Sequence, residues 1–549
     1  MSGPVTTGTV AGVVGSLLAG LGVGHAFGVV GSGNFHVTNA LREHGVPFSA
    51  ARHEGGAATM ADAFARTSGD VAVLSLHQGC GLTNALTGIT EAAKSRTPLL
   101  VLAADTGGAA VRSNFRIDQD ALVASVGAVP ERVHSAASAV ADVLRAYDTC
   151  RNQRRTVVLN LPLDVQEQPC TAPSPSPRFV EVLPARPNAA AVAALAALID
   201  RAERPVFIAG RGARHAGPEM AVLADTCGAL LATSAVANGL FTGHAWNLGI
   251  SGGFATDLAA ELITGADLVV AWGASLTMWT TRHGALIGDG ATVVQVDDTP
   301  SAIGAQRPVD LGVLGDVAGT AHDVAGAVTG GPGYRTAAIG ERIAAEGRWT
   351  QIPVPAQAAD PDHIDPRTLS TALDALLPAE RTVAVDSGNF MGYPSAYLAV
   401  PDAAGFCFTQ GFQSIGLGLA TALGAAIARP DRLTVAAAGD GGFLMGISEL
   451  ETAVRLGIGL LVVVYDDAGY GAEFHHFEGA DHGTVRFPDA DLAAVAQGYG
   501  CAAATVRSEE DLDAVRKWLD GPRDRPMLVD AKVRTDEAAW WLLEAFRGH

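Results

Sequence analysis

Along the first third of the chain, short apolar runs alternate with stretches whose apolar residues recur every three or four positions. A helix to Leu21 is followed by the strand HAFGVV, the helix NFHVTNALREHG, the strand VPFSAA, the helix GAATMADAFARTSG and the strand VAVLSLHQ, and the pattern closes with TVVLNLP at 156–162. Alternation of this kind predicts a parallel sheet covered by helices on both faces. The apolar stretch Val10–Val23 has no Lys or Arg before Arg42 and is interrupted by glycines, so it reads as a buried first helix rather than a signal segment. A Pro- and Ser-rich segment at 170–187 reads as a linker. Beyond it, PVFIAG, DLVVAWGAS and TVVQVDD are strands among Ala-rich helices. A second linker at 353–366 leads to a third α/β unit. The expected fold is therefore α/β, with three doubly wound parallel-sheet domains at 1–170, 188–330 and 365–549.

The stretch that organises the third unit is 436–471, AAAGDGGFLMGISELETAVRLGIGLLVVVYDDAGYG. Thr434–Ala438 and Leu460–Tyr465 read as buried strands, and Ile447, Leu450 and Val454 recur at helical spacing between them, up to Gly457. A parallel βαβ crossover sets the ends of its two strands side by side, so Asp440 and Asp467 should emerge together at the carboxyl edge of the sheet. Two carboxylates there can share one cation. Gly439, Gly441 and Gly442 are expected to form a tight turn whose bare N–H groups face a phosphate.

Composition narrows the partners. A formal charge of −20 and a pI near 5.1 argue against nucleic acid or an anionic membrane, and favour a small-molecule ligand. The six cysteines lack CxxC spacing, as expected of reduced thiols in a cytoplasmic protein.

GDG followed at this distance by a polar pair and GYG resembles the signature of thiamine-diphosphate (ThDP) enzymes. In that family magnesium is held by the Asp of GDG, the second residue of an Asn-Asn pair and a backbone carbonyl two residues later. The matching positions are Asp440, Asp467 and Gly469; both Asn are Asp here, Asp466 and Asp467, which adds negative charge beside the diphosphate. The segment RHEGGAATM at 52–60 and GCGLTNALTGITEAAKSRTPLLVLAAD at 79–105 resemble the acetolactate synthase and benzoylformate decarboxylase branch.

The resemblance implies a pyrimidine-binding first domain, a central domain and a diphosphate-binding third domain. It assigns Glu54 to the pyrimidine N1′, Ile415 to the space under the bend of the cofactor and the carbonyl of Gln413 to its 4′-amino group. Gly388 and Asn389, in DSGNF, would lie over the diphosphate with Gly441 and Gly442. His77 and Ser32, the latter in FGVVGS, match substrate-facing positions of benzoylformate decarboxylases, and His283, His475 and His476 are further acid/base candidates. Where acetolactate synthases carry Phe-Gln-Glu, this chain has Phe115, Arg116 and Ile117.

The implied activity is ThDP- and magnesium-dependent decarboxylation of a 2-oxo acid, of the benzoylformate decarboxylase type, with the product carbanion protonated or joined to a second carbonyl. An acetolactate synthase-like carboligase and a catalytically silent ThDP-fold binding protein are the alternatives. FAD is not supported, because the IAGRGA loop of the central domain does not complete GxGxxG. The resemblance also implies a homodimer or homotetramer, with cofactor sites where subunits meet.

Overall fold

The computed structural model describes residues 7–171, 178–355, 360–534 and 537–545. Three six-stranded sheets, parallel throughout, account for nearly all of the strands. Their central strands are continuous apolar runs buried from end to end, among them Ala72–Leu76, Leu99–Asp105, Leu268–Trp272 and Leu461–Asp466. Helices on both faces of a sheet produce that pattern.

Numbered in chain order within each sheet, the strands of the first and third sheets share one spatial order, 2-1-3-4-6-5, while the central sheet runs 3-2-1-4-5-6. The first and third units are thus two copies of one topology. The central sheet has the dinucleotide-fold order. A two-stranded antiparallel ribbon, Thr7–Thr9 with Pro169–Thr171, ties the beginning of the first unit to its end. The expected first helix is Val10–Gly20, with most of its residues buried.

Differences from the sequence reading have local causes. The central sheet also contains Leu230–Thr233, Asn247–Ile250 and Leu311–Leu314, four residues each and too short to show a period. The GDG segment is not a separate turn, because a helix starts at Asp440, runs to Gly446 and is followed by a second at Glu449–Arg455. Neither Gly441 nor Gly442 has a positive φ. They are glycine because a Cβ on Gly441 would lie 2.5 Å from the Tyr470 ring, and one on Gly442 would lie 2.7 Å from a carboxylate oxygen of Asp386. The expected linkers fall partly outside the described residues, at 172–177 and 356–359. No helix among the described residues is long and apolar enough to cross a membrane.

The first and third units share one hydrophobic core, in which Ala57, Ala61 and Phe64 pack in the same cluster as Leu419, Leu423 and Ala436. Its seam is the pair of helices Glu54–Ser68 and Gly418–Ala428, whose facing residues are mostly Ala and Gly. A Cβ at Gly424 would collide with the Met60 carbonyl. Gly424→Ala should therefore destabilise the fold by about 1–3 kcal/mol despite the higher helix propensity of alanine. Gly20→Ala, with open space around its Cβ, should leave the melting temperature nearly unchanged. Calorimetric melting of both variants checks this, and equal melting temperatures would mean that the helices do not meet so closely.

Candidate active site

In the third sheet the strands Arg381–Val385, Leu433–Gly439 and Leu461–Asp466 lie side by side and end on Asp386, Asp440 and Asp467. This is the carboxyl edge where the order of strands reverses, the usual place for a ligand in such a sheet. A cavity of about 520 Å³ opens there. Gly388, Asn389, Gln413, Ile415, Asp440, Gly441, Gly442, Asp467 and Gly469 all line it, so every residue expected on the diphosphate side comes together.

Asp386, fully buried, accepts the N–H groups of Ser387 (2.8 Å), Gly416 (2.9 Å) and Leu417 (3.2 Å) and so fixes the segment that carries Gln413 and Ile415. Burial raises its pKa to about 6, against the pull of those N–H groups. Gln413 is held at φ +62, a left-handed conformation that few residues other than glycine adopt.

Asp440 and Asp467 crowd each other. Burial and the charge of Asp466 raise Asp440 to about 6, and burial and the charge of Asp440 push Asp467 well above the carboxylate range. Asn389 donates to Asp467 at 3.4 Å, while its own Oδ1 is buried without a partner. Asp466 is taken up elsewhere, since it accepts from Lys532 Nζ at 2.6 Å and from the Ala468 N–H at 3.0 Å. A Lys at the end of a distant strand leaves no local signal, so the sequence reading missed this compensation.

The first sheet carries the second group. Glu54 is the first residue of its helix, and Asn84 Nδ2 donates to its carboxylate at 3.1 Å. The turn before it is clamped from the third unit, where Glu449 accepts the N–H groups of Arg52 and His53. His77 uses Nδ1 toward the Gln78 carbonyl at 3.0 Å, which leaves Nε2 toward Ser32 Oγ at 3.4 Å, and the Phe115 ring stands edge-on at 5.1 Å. Glu54, His77 and Ser32 thus share one edge, but none of them lines the Asp440 cavity. His283 is exposed, and neither it nor His475 and His476 lines that cavity.

The residues fit a magnesium diphosphate. Two unneutralised carboxylates face each other, an orphaned amide oxygen points nowhere else, and the glycines leave room for close approach. No group of three or more His, Cys, Asp and Glu side chains is placed to hold a metal among the described residues, so a cation here would take two carboxylates and the Gly469 carbonyl. Paired α/β units with a glycine-lined acid pair at the edge of one and a helix-start glutamate on the other are the arrangement of a ThDP-dependent enzyme.

Family models agree in chain order: thiamine pyrophosphate enzyme, N-terminal TPP binding domain, at 8–122; central domain, at 192–324; and C-terminal TPP binding domain, at 386–531. The chain belongs to the thiamine pyrophosphate enzyme family. It is 29% identical to a sulfoacetaldehyde acetyltransferase of Rhodobacter capsulatus, over 94% of this chain and 92% of that one. It is 30% identical to a protein of Pseudomonas aeruginosa described as a probable 2-ketoarginine decarboxylase, over 92% and 90%. The structure of a ThDP-dependent 4-hydroxybenzoylformate decarboxylase of Rhodococcus jostii superposes with a TM-score of 0.82 at 22% identity, covering 97% of this chain and all of that one. That last likeness speaks for the fold alone.

The carboxylate pair gives a pH dependence. Asp440 and Asp467 hold protons more tightly folded than unfolded, so between about pH 4 and 6 the native state binds more protons and the metal-free fold loses stability from this pair as pH rises. Asp467→Asn should raise the melting temperature of metal-free protein at pH 8 more than at pH 5, and added magnesium should stabilise the wild type at pH 8. A variant with the same shift at both pH values would contradict the mutual repulsion.

Proposed function

We propose that the enzyme decarboxylates a 2-oxo acid with ThDP and magnesium as cofactors. Asp440, Asp467 and the Gly469 carbonyl hold the metal, and Gly388, Asn389, Gly441 and Gly442 receive the diphosphate. Ile415 supports the bend, Gln413 accepts from the 4′-amino group and Glu54 shares a proton with the pyrimidine N1′. When bound, the cofactor supplies the electron sink that lets the carboxylate leave as CO2.

The observation that carries the reading is the Ser32–His77 pair on the edge of Glu54. His77, with Nδ1–H given to a carbonyl, presents Nε2 as a base and, once protonated, as an acid toward the reacting carbon. A second reading, acyl transfer to another carbonyl, is favoured by the sulfoacetaldehyde acetyltransferase among the relatives. Product analysis by mass spectrometry, on a panel of 2-oxo acids with and without an aldehyde acceptor, separates the two.

His77→Ala should retain ThDP while turnover of the 2-oxo acid falls by roughly 10²–10⁴, the usual worth of a positioned acid or base. A loss below tenfold for every accepted substrate would make His77 structural and put the transfer reading first.

Because Glu54 does not line the Asp440 cavity of its own chain, the complete site is built between two subunits. Exposed apolar residues on both edges support this: Leu444, Met445 and Phe487 beside the diphosphate cavity, and Val30, Phe35 and Phe115 beside His77. Mixing inactive Glu54→Gln with inactive Asp440→Ala subunits should restore part of the activity through sites with one intact half from each. No recovery after verified subunit exchange would mean that a single chain completes the site.

A further inference from the structure

The central sheet reverses between the strands Pro205–Ala209 and Leu268–Trp272, and the turns that follow them, at Gly210–Arg211 and Gly273–Ser275, form one wall of a second cavity of about 280 Å³. Phe254, Trp279, Met391 and Trp541 supply much of its apolar lining. It adjoins the diphosphate cavity, with Trp279, Met391, Gln410 and Gln413 lining both. Two cations line it, Arg211 and Lys94, and no Asp or Glu does.

Among the described residues the Arg211 side chain makes no hydrogen bond or ion pair. The carboxylates nearest to it, Asp62 and Glu91, are already taken by Arg66, at 2.6 and 2.8 Å. Arg214, one turn of backbone away, donates from its two terminal nitrogens to the carbonyls of Arg66 and Ala403. Neither Arg211 nor Arg214 has a carboxylate of its own, and of the two only Arg211 lines the cavity. Burial, with Arg66 and Arg214 close by, pulls its pKa down to about 9, so it remains a cation at neutral pH without a counterion. A part-buried guanidinium without a counterion on a cavity wall is a ready partner for an anion.

We propose that this cavity is the recess for the anionic tail of a substrate whose carbonyl carbon reacts in the adjoining cavity, with Arg211 pairing with a carboxylate or sulfonate at the far end. The assignment deepens the function proposed above and rests on it for the reacting end only. Ser234, Ser251 and Thr280 also line the recess and add polar character beside Arg211. Its volume lies just under the range of roughly 300–1,000 Å³ that whole drug-sized ligands fill, which suits a tail of a few atoms and not a dinucleotide.

The test uses the full chain loaded with ThDP and magnesium. Glutarate, a dicarboxylate that cannot be decarboxylated by this chemistry, is titrated calorimetrically into wild type, Arg211→Met and Arg211→Lys, with ADP and FAD as competing probes. Arg211→Met should weaken glutarate binding by at least about 30-fold, as truncating one side of an enclosed charge pair does, and Arg211→Lys by less. The ligand-free Arg211→Met protein should melt no lower than wild type, since it loses an uncompensated charge. The ratio of kcat/KM for 2-oxoglutarate to that for pyruvate should fall by a similar factor. Parallel ratios of a sulfonated to an uncharged aldehyde acceptor tell whether donor or acceptor brings the anion. Unchanged glutarate affinity in Arg211→Met, or ADP or FAD binding more tightly than glutarate, would overturn the proposal. Absence of turnover with every 2-oxo acid would instead strike the proposed reaction, while the glutarate titration still decides the recess.

Discussion

The structure depends on a buried ion cluster where the three units meet. Arg66 reaches Asp62 at 2.6 Å and Glu91 at 2.8 Å and donates to the Phe408 carbonyl, while Glu91 also accepts the N–H groups of Gly411 and Phe412 and the Ser95 hydroxyl. Burial opposes the charge of Glu91, yet Arg66 and the two N–H groups outweigh it and hold the carboxyl below its usual range. Charges taken this far from water are stable only when every lone pair is met, so the positions of the helices Glu54–Ser68 and Cys80–Lys94 and of the segment 408–412 are locked together. Gln413 and Ile415 follow directly. A cluster holding the first unit to the third therefore sets the wall between the two cavities.

A second clamp acts on the Glu54 side. Glu449 belongs to the third unit but receives the backbone of Arg52 and His53, and a Cβ on Gly56 would run into its carboxylate. The direction in which Glu54 leaves its helix is thus dictated by a residue almost 400 positions away. The clamp acts within one chain while Glu54 stays outside the Asp440 cavity, so the glutamate and the acid pair are held as separate groups.

The sequence made the repeated α/β alternation legible, and with it the parallel order of Leu433–Gly439 and Leu461–Asp466 that brings Asp440 and Asp467 together. Long buried strands announce themselves by unbroken Val, Leu and Ala. Strands of four residues such as Leu230–Thr233 do not, and glycines in GDGG read as a turn although tight packing against Tyr470 and Asp386 is what requires them. Glu91, Glu449 and Arg211 were out of reach for a different reason: their meaning lies in partners, or in a missing partner, far along the chain, and no local period marks either.

The two acids that replace the family's Asn-Asn pair have different fates: Asp466 is tied down by Lys532, whereas Asp467 adds a carboxylate beside Asp440. Lys532 Nζ lies 2.6 Å from Asp466, 2.6 Å from Asp489 and 3.2 Å from Asp530, and despite burial these carboxylates keep it protonated. Asp466 also accepts the Ala468 N–H, in the turn that presents Asp467 and Gly469. Asp466 thus anchors the turn, while its charge still helps to raise Asp440. What remains toward the cavity is Asp440 with Asp467, two acids whose mutual repulsion a divalent cation would relieve. Lys532 lets an acid stand in the place of an amide at 466, while at 467 the acid leaves two carboxylates facing each other.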